Sequence, residues 1–222
     1  MISEAIQDYL KGIYHLEERD GSASTSALAA AMGVAAPSVT GMVKRLAALH
    51  LVDHTPYQGV ALTPAGRKIA LEVIRHHRLL ELYLAETLGY SWDRVHEEAE
   101  RLEHVISEEL EEKIFEALGR PVRDPHGEPI PSRDGDVEVR ELERLSDLEV
   151  GAGGIIGQVS ETTPEILRYL GDRGLVPDTA VAVQEKAPFD GPITIRAGAA
   201  THVLGRQLAS HIRIHVGPSP EA

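Results

Sequence analysis

The chain has 222 residues, 42% of them hydrophobic, no cysteine and a formal net charge of −13. That length suits one large or two to three small domains with buried cores, and the lack of cysteine excludes disulfides, zinc–thiolate sites and cysteine nucleophiles. The acid excess argues against a general nucleic-acid coat, but it is uneven: residues 1–75 set seven basic against seven acidic groups, residues 76–150 nine against twenty-one, and residues 151–222 six against seven.

The first segment is thus left able to approach a polyanion. Ile6, Tyr9, Leu10, Ile13 and Leu16 repeat at helical spacing, which predicts a first amphipathic helix with Glu4, Asp8, Lys11 and His15 along its polar side. Ser24 and Thr25 are capping types ahead of a short apolar helix that Gly33 closes. Pro37 then suits the first turn of a helix running to about Leu49, with Val39, Met42, Val43 and Leu46 inward. Two short helices joined by a tight turn containing glycine are the helix-turn-helix pattern. A hairpin follows, with strands over 51–54 and 60–62 and a turn through Tyr57, Gln58 and Gly59, which supplies a wing. The candidate DNA-contacting residues are Thr25, Ser26, Ala35, Pro37, Ser38, Thr40, Gly41, Lys44 and Arg45 on the helix pair, with Tyr57 and Gln58 on the wing. Their small side chains give few strong base contacts, so shape readout and phosphate contacts are expected to dominate.

Thr63-Pro64 opens a helix to about Leu88, with more apolar surface than one face needs, which suggests a partner chain. It carries His77 and Glu81 at the i, i+4 spacing of a ligand pair or of a surface hydrogen bond. The stretch from His96 to His104, HEEAERLEH, also reads as helix, continuing through Leu110, Ile114 and Leu118. Helical spacing turns Glu100, Glu103 and His104 one way, with His96 one turn above Glu100. Two carboxylates and an imidazole on one face need either a cation between them or open solvent around them. His96-Glu97 has Glu100 where the HExxH zinc hydrolase motif places its second histidine, and no nucleophile signature or phosphate loop is present, so an enzyme is not expected.

Arg120 to Gly135 is rich in proline and glycine and reads as a linker. After it, short strands are predicted over 155–159, 180–186, 193–196 and 212–216, with a helix over 164–170 behind Thr163; together they suggest a small barrel. No apolar run approaches the roughly 20 residues of a membrane span. With no signal-peptide pattern either, a cytoplasmic, membrane-free protein is expected.

The order winged helix, His77-x-x-x-Glu81, His96-x-x-x-Glu100-x-x-Glu103-His104 and DPHGEPIP resembles the diphtheria toxin repressor family, iron- or manganese-dependent repressors of bacterial metal uptake. The stretches LRYLGDRGLVPDTAVAV and APFDGPITI are similar to the SH3-like domain that closes many members and to ferrous iron transport protein A. The resemblance implies a mainly α fold with α+β parts: a winged helix-turn-helix over 1–72, a helical metal-binding and dimerisation domain over 73–140, and an SH3-like barrel over 150–217. It implies a primary metal site from Asp8, Glu100, Glu103 and His104. It also implies an ancillary site from His77, Glu81 and His96 with an acceptor from the last domain, for which Glu161 is the candidate, or with the linker residues Asp124 and His126. Iron-type members carry methionine and cysteine where Asp8 and Glu100 stand. Hard carboxylate oxygens suit Mn(II), so a Mn(II)-activated repressor is implied, with Fe(II) as the alternative and one to two ions per subunit. Relatives with a close pair of manganese ions have a carboxylate in place of Lys11, so that arrangement is not expected. The implied partners are a second copy of the chain and a palindromic double-stranded operator.

Overall fold

A computed structural model of the chain describes residues 2–55, 59–160 and 163–217. These residues form two compact units: residues 1–77, 101–111 and 131–137 contribute to the first, and residues 78–100, 112–130 and 138–222 to the second.

The first unit opens with α1 (Glu4–Asp20), whose apolar stripe is buried and which ends at Gly21 in the left-handed conformation. Next come α2 (Thr25–Met32) and α3 (Ala36–Ala48), set at 111° to each other, within the range of a helix-turn-helix. The Ser24 hydroxyl accepts from Ala27 N at 3.0 Å and caps α2. Gly33, with φ of 63°, closes it. Strands β1 (Val52–Thr55) and β2 (Gly59–Leu62) pair antiparallel as the wing. Leu10, Ile13, Leu28, Val43, Leu46, Val60 and Ile74 meet in one core. α4 (Pro64–Glu86) follows, its start capped by the Thr63 hydroxyl 3.1 Å from Gly66 N. Its residues up to His77 belong to this unit.

The expected long helix from His96 to Leu118 is two helices instead, α5 (Val95–Leu102) and α6 (Glu108–Ala117). Glu103, His104 and Val105 turn between them. Val105 and Ile106 are β-branched and weaken a helix there, and the Ser107 hydroxyl accepts from Leu110 N at 3.3 Å to start α6.

The second unit is built on a six-stranded antiparallel sheet in the order β3-β8-β4-β5-β6-β7. The strands are β3 (Glu143–Arg144), β4 (Gly153–Val159), β5 (Ala180–Lys186), β6 (Ile193–Ala197), β7 (Ala200–Leu204) and β8 (Ile212–Gly217), with α7 (Pro164–Gly171) and α8 (Arg206–Ser210) between them. Leu145, Ile156, Val159, Leu167, Leu170, Val181, Ile195, Ile212 and Ile214 form its core. A bulge between Ile156 and Gln158 lets two residues at odd spacing, Ile156 and Val159, both face inward. The segment 124–130 hooks onto this sheet, Val159 N donating to the His126 carbonyl at 2.9 Å. Among the described residues no single helix is long and apolar enough to cross a membrane.

Candidate metal centre

Two groups of carboxylates and imidazoles stand out, one within each unit. In the first, α1 supplies Asp8 and the turn after α5 supplies Glu103 and His104. One ligand atom from each lies within 4.8 Å of the others. His104 Nε2 is 2.9 Å from Asp8 Oδ1 and 3.4 Å from Glu103 Oε1. On the far side of the ring, His104 Nδ1 donates to the Gln7 side-chain oxygen at 2.8 Å. That bond fixes the tautomer that leaves Nε2 turned toward the carboxylates.

Glu103 is the buried centre of this group, its side chain 0% exposed. Lys11 Nζ donates to both its oxygens, at 2.8 and 2.9 Å, and His77 Nδ1 donates to Oε2 at 2.5 Å. Burial alone would raise the carboxyl's pKa; the His77 bond and the Lys11 charge overcome it and hold the group below its ordinary value. The Glu103 carbonyl accepts from His76 Nδ1 at 3.1 Å, and Glu111 pairs with both His76, at 3.3 Å, and Arg75, at 2.5 Å. The turn bearing two of the three donors is thereby anchored.

In the second unit the end of α4 supplies Glu81 and the linker supplies Asp124 and His126. All three are buried, with ligand atoms within 4.8 Å of one another. His126 Nε2 donates to the Trp92 carbonyl at 2.9 Å, and its Nδ1 is 3.7 Å from Glu81 Oε2. Asp124 Oδ1 accepts from the backbone nitrogens of His126 and Glu128 at 2.8 and 2.9 Å, a turn that fixes the loop. Arg78 completes the surroundings, pairing with Glu128, lying 3.8 Å from Asp124 Oδ2 and donating to the Pro129 carbonyl at 2.6 Å. Burial, followed by the charges of Glu81 and Glu128, pushes the Asp124 carboxyl up to about 7. Burial disfavours the His126 cation, but the Glu81 carboxylate outweighs it and raises the imidazole to about 9. The neighbouring carboxylates thus favour a bound proton on each of these two groups.

The other expected ligands are spread around these groups. His96 Nδ1 lies 3.2 Å from Glu81 Oε1, and its Nε2 lies 3.8 Å from Glu100 Oε1, both within the second unit. His77, grouped with Glu81 by its spacing, makes its short bond to Glu103 in the first unit. Glu161 and the wing residues Tyr57 and Gln58 lie outside the described residues. Ala35, Pro37, Ser38, Thr40, Gly41, Lys44 and Arg45 are exposed on or beside α3, as is Ser26 on α2, while Thr25 is half-buried. Gln7, Arg75, His76, Glu111 and the Trp92 carbonyl escaped sequence reading. A glutamine next to an aspartate, or a carbonyl, carries no spacing signal of its own.

Similarity to known proteins extends over nearly the whole chain. Residues 1–60 match the model of the iron dependent repressor N-terminal DNA binding domain, and residues 63–132 that of the iron dependent repressor metal binding and dimerisation domain. Residues 143–216 match the FeoA domain. The iron-dependent repressor IdeR of Mycobacterium leprae is 31% identical over 218 residues, covering 93% of this chain and 94% of its own. A solved manganese-dependent transcriptional repressor in complex with manganese is 39% identical, with a TM-score of 0.88, covering 94% of this chain and 98% of its own. The manganese regulator SloR is 34% identical with a TM-score of 0.77, covering 96% and 98%.

Proposed function

This chain belongs to the diphtheria toxin repressor family of metal-dependent, DNA-binding repressors, and we propose that it is a Mn(II)-activated repressor of metal-uptake genes, acting in the cytoplasm as a homodimer on a palindromic operator. The observation that carries the metal assignment is the donor set: carboxylate and imidazole groups from Asp8, Glu103 and His104 converge within 4.8 Å, around a carboxylate that is fully buried. Hard oxygen donors suit Mn(II), while affinity alone rises toward the later first-row metals, so cellular supply shares in the selection.

On this reading Asp8, Glu100, Glu103 and His104 hold the primary ion. Glu81, Asp124 and His126 hold a second, with His96, His77 and Glu161 as further candidates. When bound, the ion supplies the positive charge that offsets the clustered carboxylates. Asp8 then ties α1 of the DNA-binding segment to the anchored turn at Glu103 and His104. Gln7 keeps the His104 ring aimed, and His77 keeps Glu103 ionised. The small, exposed face of α3 meets the major groove, with Lys44 and Arg45 on phosphates. The three proposed functional segments are 1–72, 73–140 and 150–217, and regulation rather than catalysis is their task.

The test is fluorescence anisotropy with a palindromic fragment selected for binding by the Mn(II)-loaded protein. Mn(II) and Fe(II) are titrated separately without oxygen, with a chelator control. Binding that appears at lower free Mn(II) than Fe(II), and is lost with chelator and in Asp8→Ala, supports the proposal. Equal response to both ions means that the donor set identifies a site but not its metal, and a response at lower free Fe(II) moves the reading to an iron-responsive regulator, the metal named for the mycobacterial relative. Binding indifferent to chelator refutes the switch and favours a sensor of an organic ligand.

A further inference from the structure

Lys11 follows Asp8 on α1 at the i+3 spacing, so both side chains leave the same face of the helix. Its ammonium lies 2.8 Å from Glu103 Oε1 and 2.9 Å from Oε2, and the lysine side chain is only 13% exposed. The two oxygens are not equivalent. His77 holds Oε2 at 2.5 Å, whereas Oε1 is the one turned to His104 Nε2, at 3.4 Å. Lys11 therefore occupies the same oxygen that the Asp8–His104 corner presents.

That placement has two consequences. With no dication present, the ammonium is a compact positive charge delivered to a carboxylate that burial would otherwise neutralise. With a dication on Oε1, two cations share one carboxylate in a place where water screens them poorly, and they repel. The four-carbon stem of lysine allows the head to swing away, at the loss of both hydrogen bonds.

We propose that Lys11 is a tethered counter-cation that competes with the metal for Glu103 and so sets the free-metal concentration at which this centre fills. The proposal rests on the reading of Asp8, Glu103 and His104 as a metal site. It makes Lys11 a threshold-setting residue: the side chain binds no metal, yet its charge is part of the affinity.

The experiment is isothermal titration of the full chain with Mn(II) alone, together with the thermal midpoint of the metal-free protein. The binding component of interest is the one that disappears in Asp8→Ala. In Lys11→Met that component is expected to tighten by roughly tenfold or more, since a poorly screened like-charge contact is worth at least about that factor. The metal-free midpoint is expected to fall, because Glu103 loses its counter-charge. Lys11→Arg keeps the charge and should stay near the parent affinity, and Lys11→Gln serves if the methionine variant does not fold. An unchanged or weakened affinity in the neutral variants overturns the proposal and makes Lys11 a positioning residue that assists the site. If no component is lost in Asp8→Ala, the site assignment itself fails, which is a separate outcome.

Discussion

Glu111 has a side chain that is only 5% exposed, and it stays ionised because Arg75 and His76 both reach it. Burial pulls its pKa up, and the His76 and Arg75 bonds pull it further down, leaving it below the ordinary 4.5. For His76, burial lowers the value, but Glu111 and the Glu103 carbonyl raise it above the ordinary 6.5. The two shifts have opposite consequences with pH. The Glu111 contribution is present above pH 4.5 and is lost as pH falls through its depressed value; the His76 contribution is full below pH 6.5 and is lost as pH rises through its raised value. The clamp is therefore strongest between those limits. Glu111→Gln leaves the Arg75 guanidinium buried against a neutral amide and should cost about 3 kcal/mol or more, the usual result of removing one partner of a buried pair. Urea unfolding at about pH 5.5, between those limits, and at about pH 8.5, on their alkaline side, should also show the variant losing less stability than the parent on going alkaline. A cost below about 1 kcal/mol would mean that the pair behaves like a surface one.

Gly127 carries the hook between the linker and the sheet. Its φ is 85°, and a Cβ there would run into the Gly157 carbonyl. Gly127→Ala pays backbone strain of about 1 kcal/mol and also has to push the loop off the strand. The neighbouring His126 carbonyl, which accepts from Val159 N at 2.9 Å, would move with it. The expected result is selective: Mn(II) titration loses or weakens the component that depends on Asp124 and His126, while the component lost in Asp8→Ala persists. Loss of both components together would show that the hook supports the whole fold. Sequence patterning marked this stretch as a proline-rich break but could not see the hook, because the close approach of Gly127 and Gly157 joins residues with no periodic relation. The helix break at Glu103 was partly legible, since Val105, Ile106 and Ser107 are weak helix formers in a row. Extending the helix through them placed Glu103 and His104 by helical spacing, whereas the structure places them on a turn. In the barrel, β7 and α8 were missed: between Gly198 and Gly205 only Leu204 of β7 is buried, so no alternating pattern announces a strand. The strands that put alternate residues into the core, such as β8 with Ile212 and Ile214, were readable.

At the scale of the whole chain, the charge of −13 would repel DNA if it were spread evenly, and it is not. The seven basic and seven acidic groups of residues 1–75 leave that segment neutral, and Lys44 and Arg45 stand exposed on α3. Attraction to the duplex must then come from a few placed cations rather than from a broad basic field. This gives a quantitative expectation. Each phosphate neutralised by a cation releases counterions and adds about −0.9 to the slope of log affinity against log salt for duplex DNA. Lys44→Ala and Arg45→Ala should each lower the magnitude of that slope by about 1 per subunit engaged, and each should weaken selected and unrelated sequences alike. The measurement is anisotropy at several salt concentrations with Mn(II) held saturating, so that metal occupancy does not vary with salt. Metal-free protein should show the same small charge contribution without the sequence preference. A slope unchanged in both variants would place the phosphate contacts elsewhere on the segment. A variant that loses sequence preference but keeps its slope would instead make that residue a reader of base edges. Either result bears on how a strongly acidic chain approaches an acidic polymer: the neutral segment has to carry the approach, and the acid excess lies in residues 76–150, the stretch that includes Glu81, Glu100, Glu103 and Asp124.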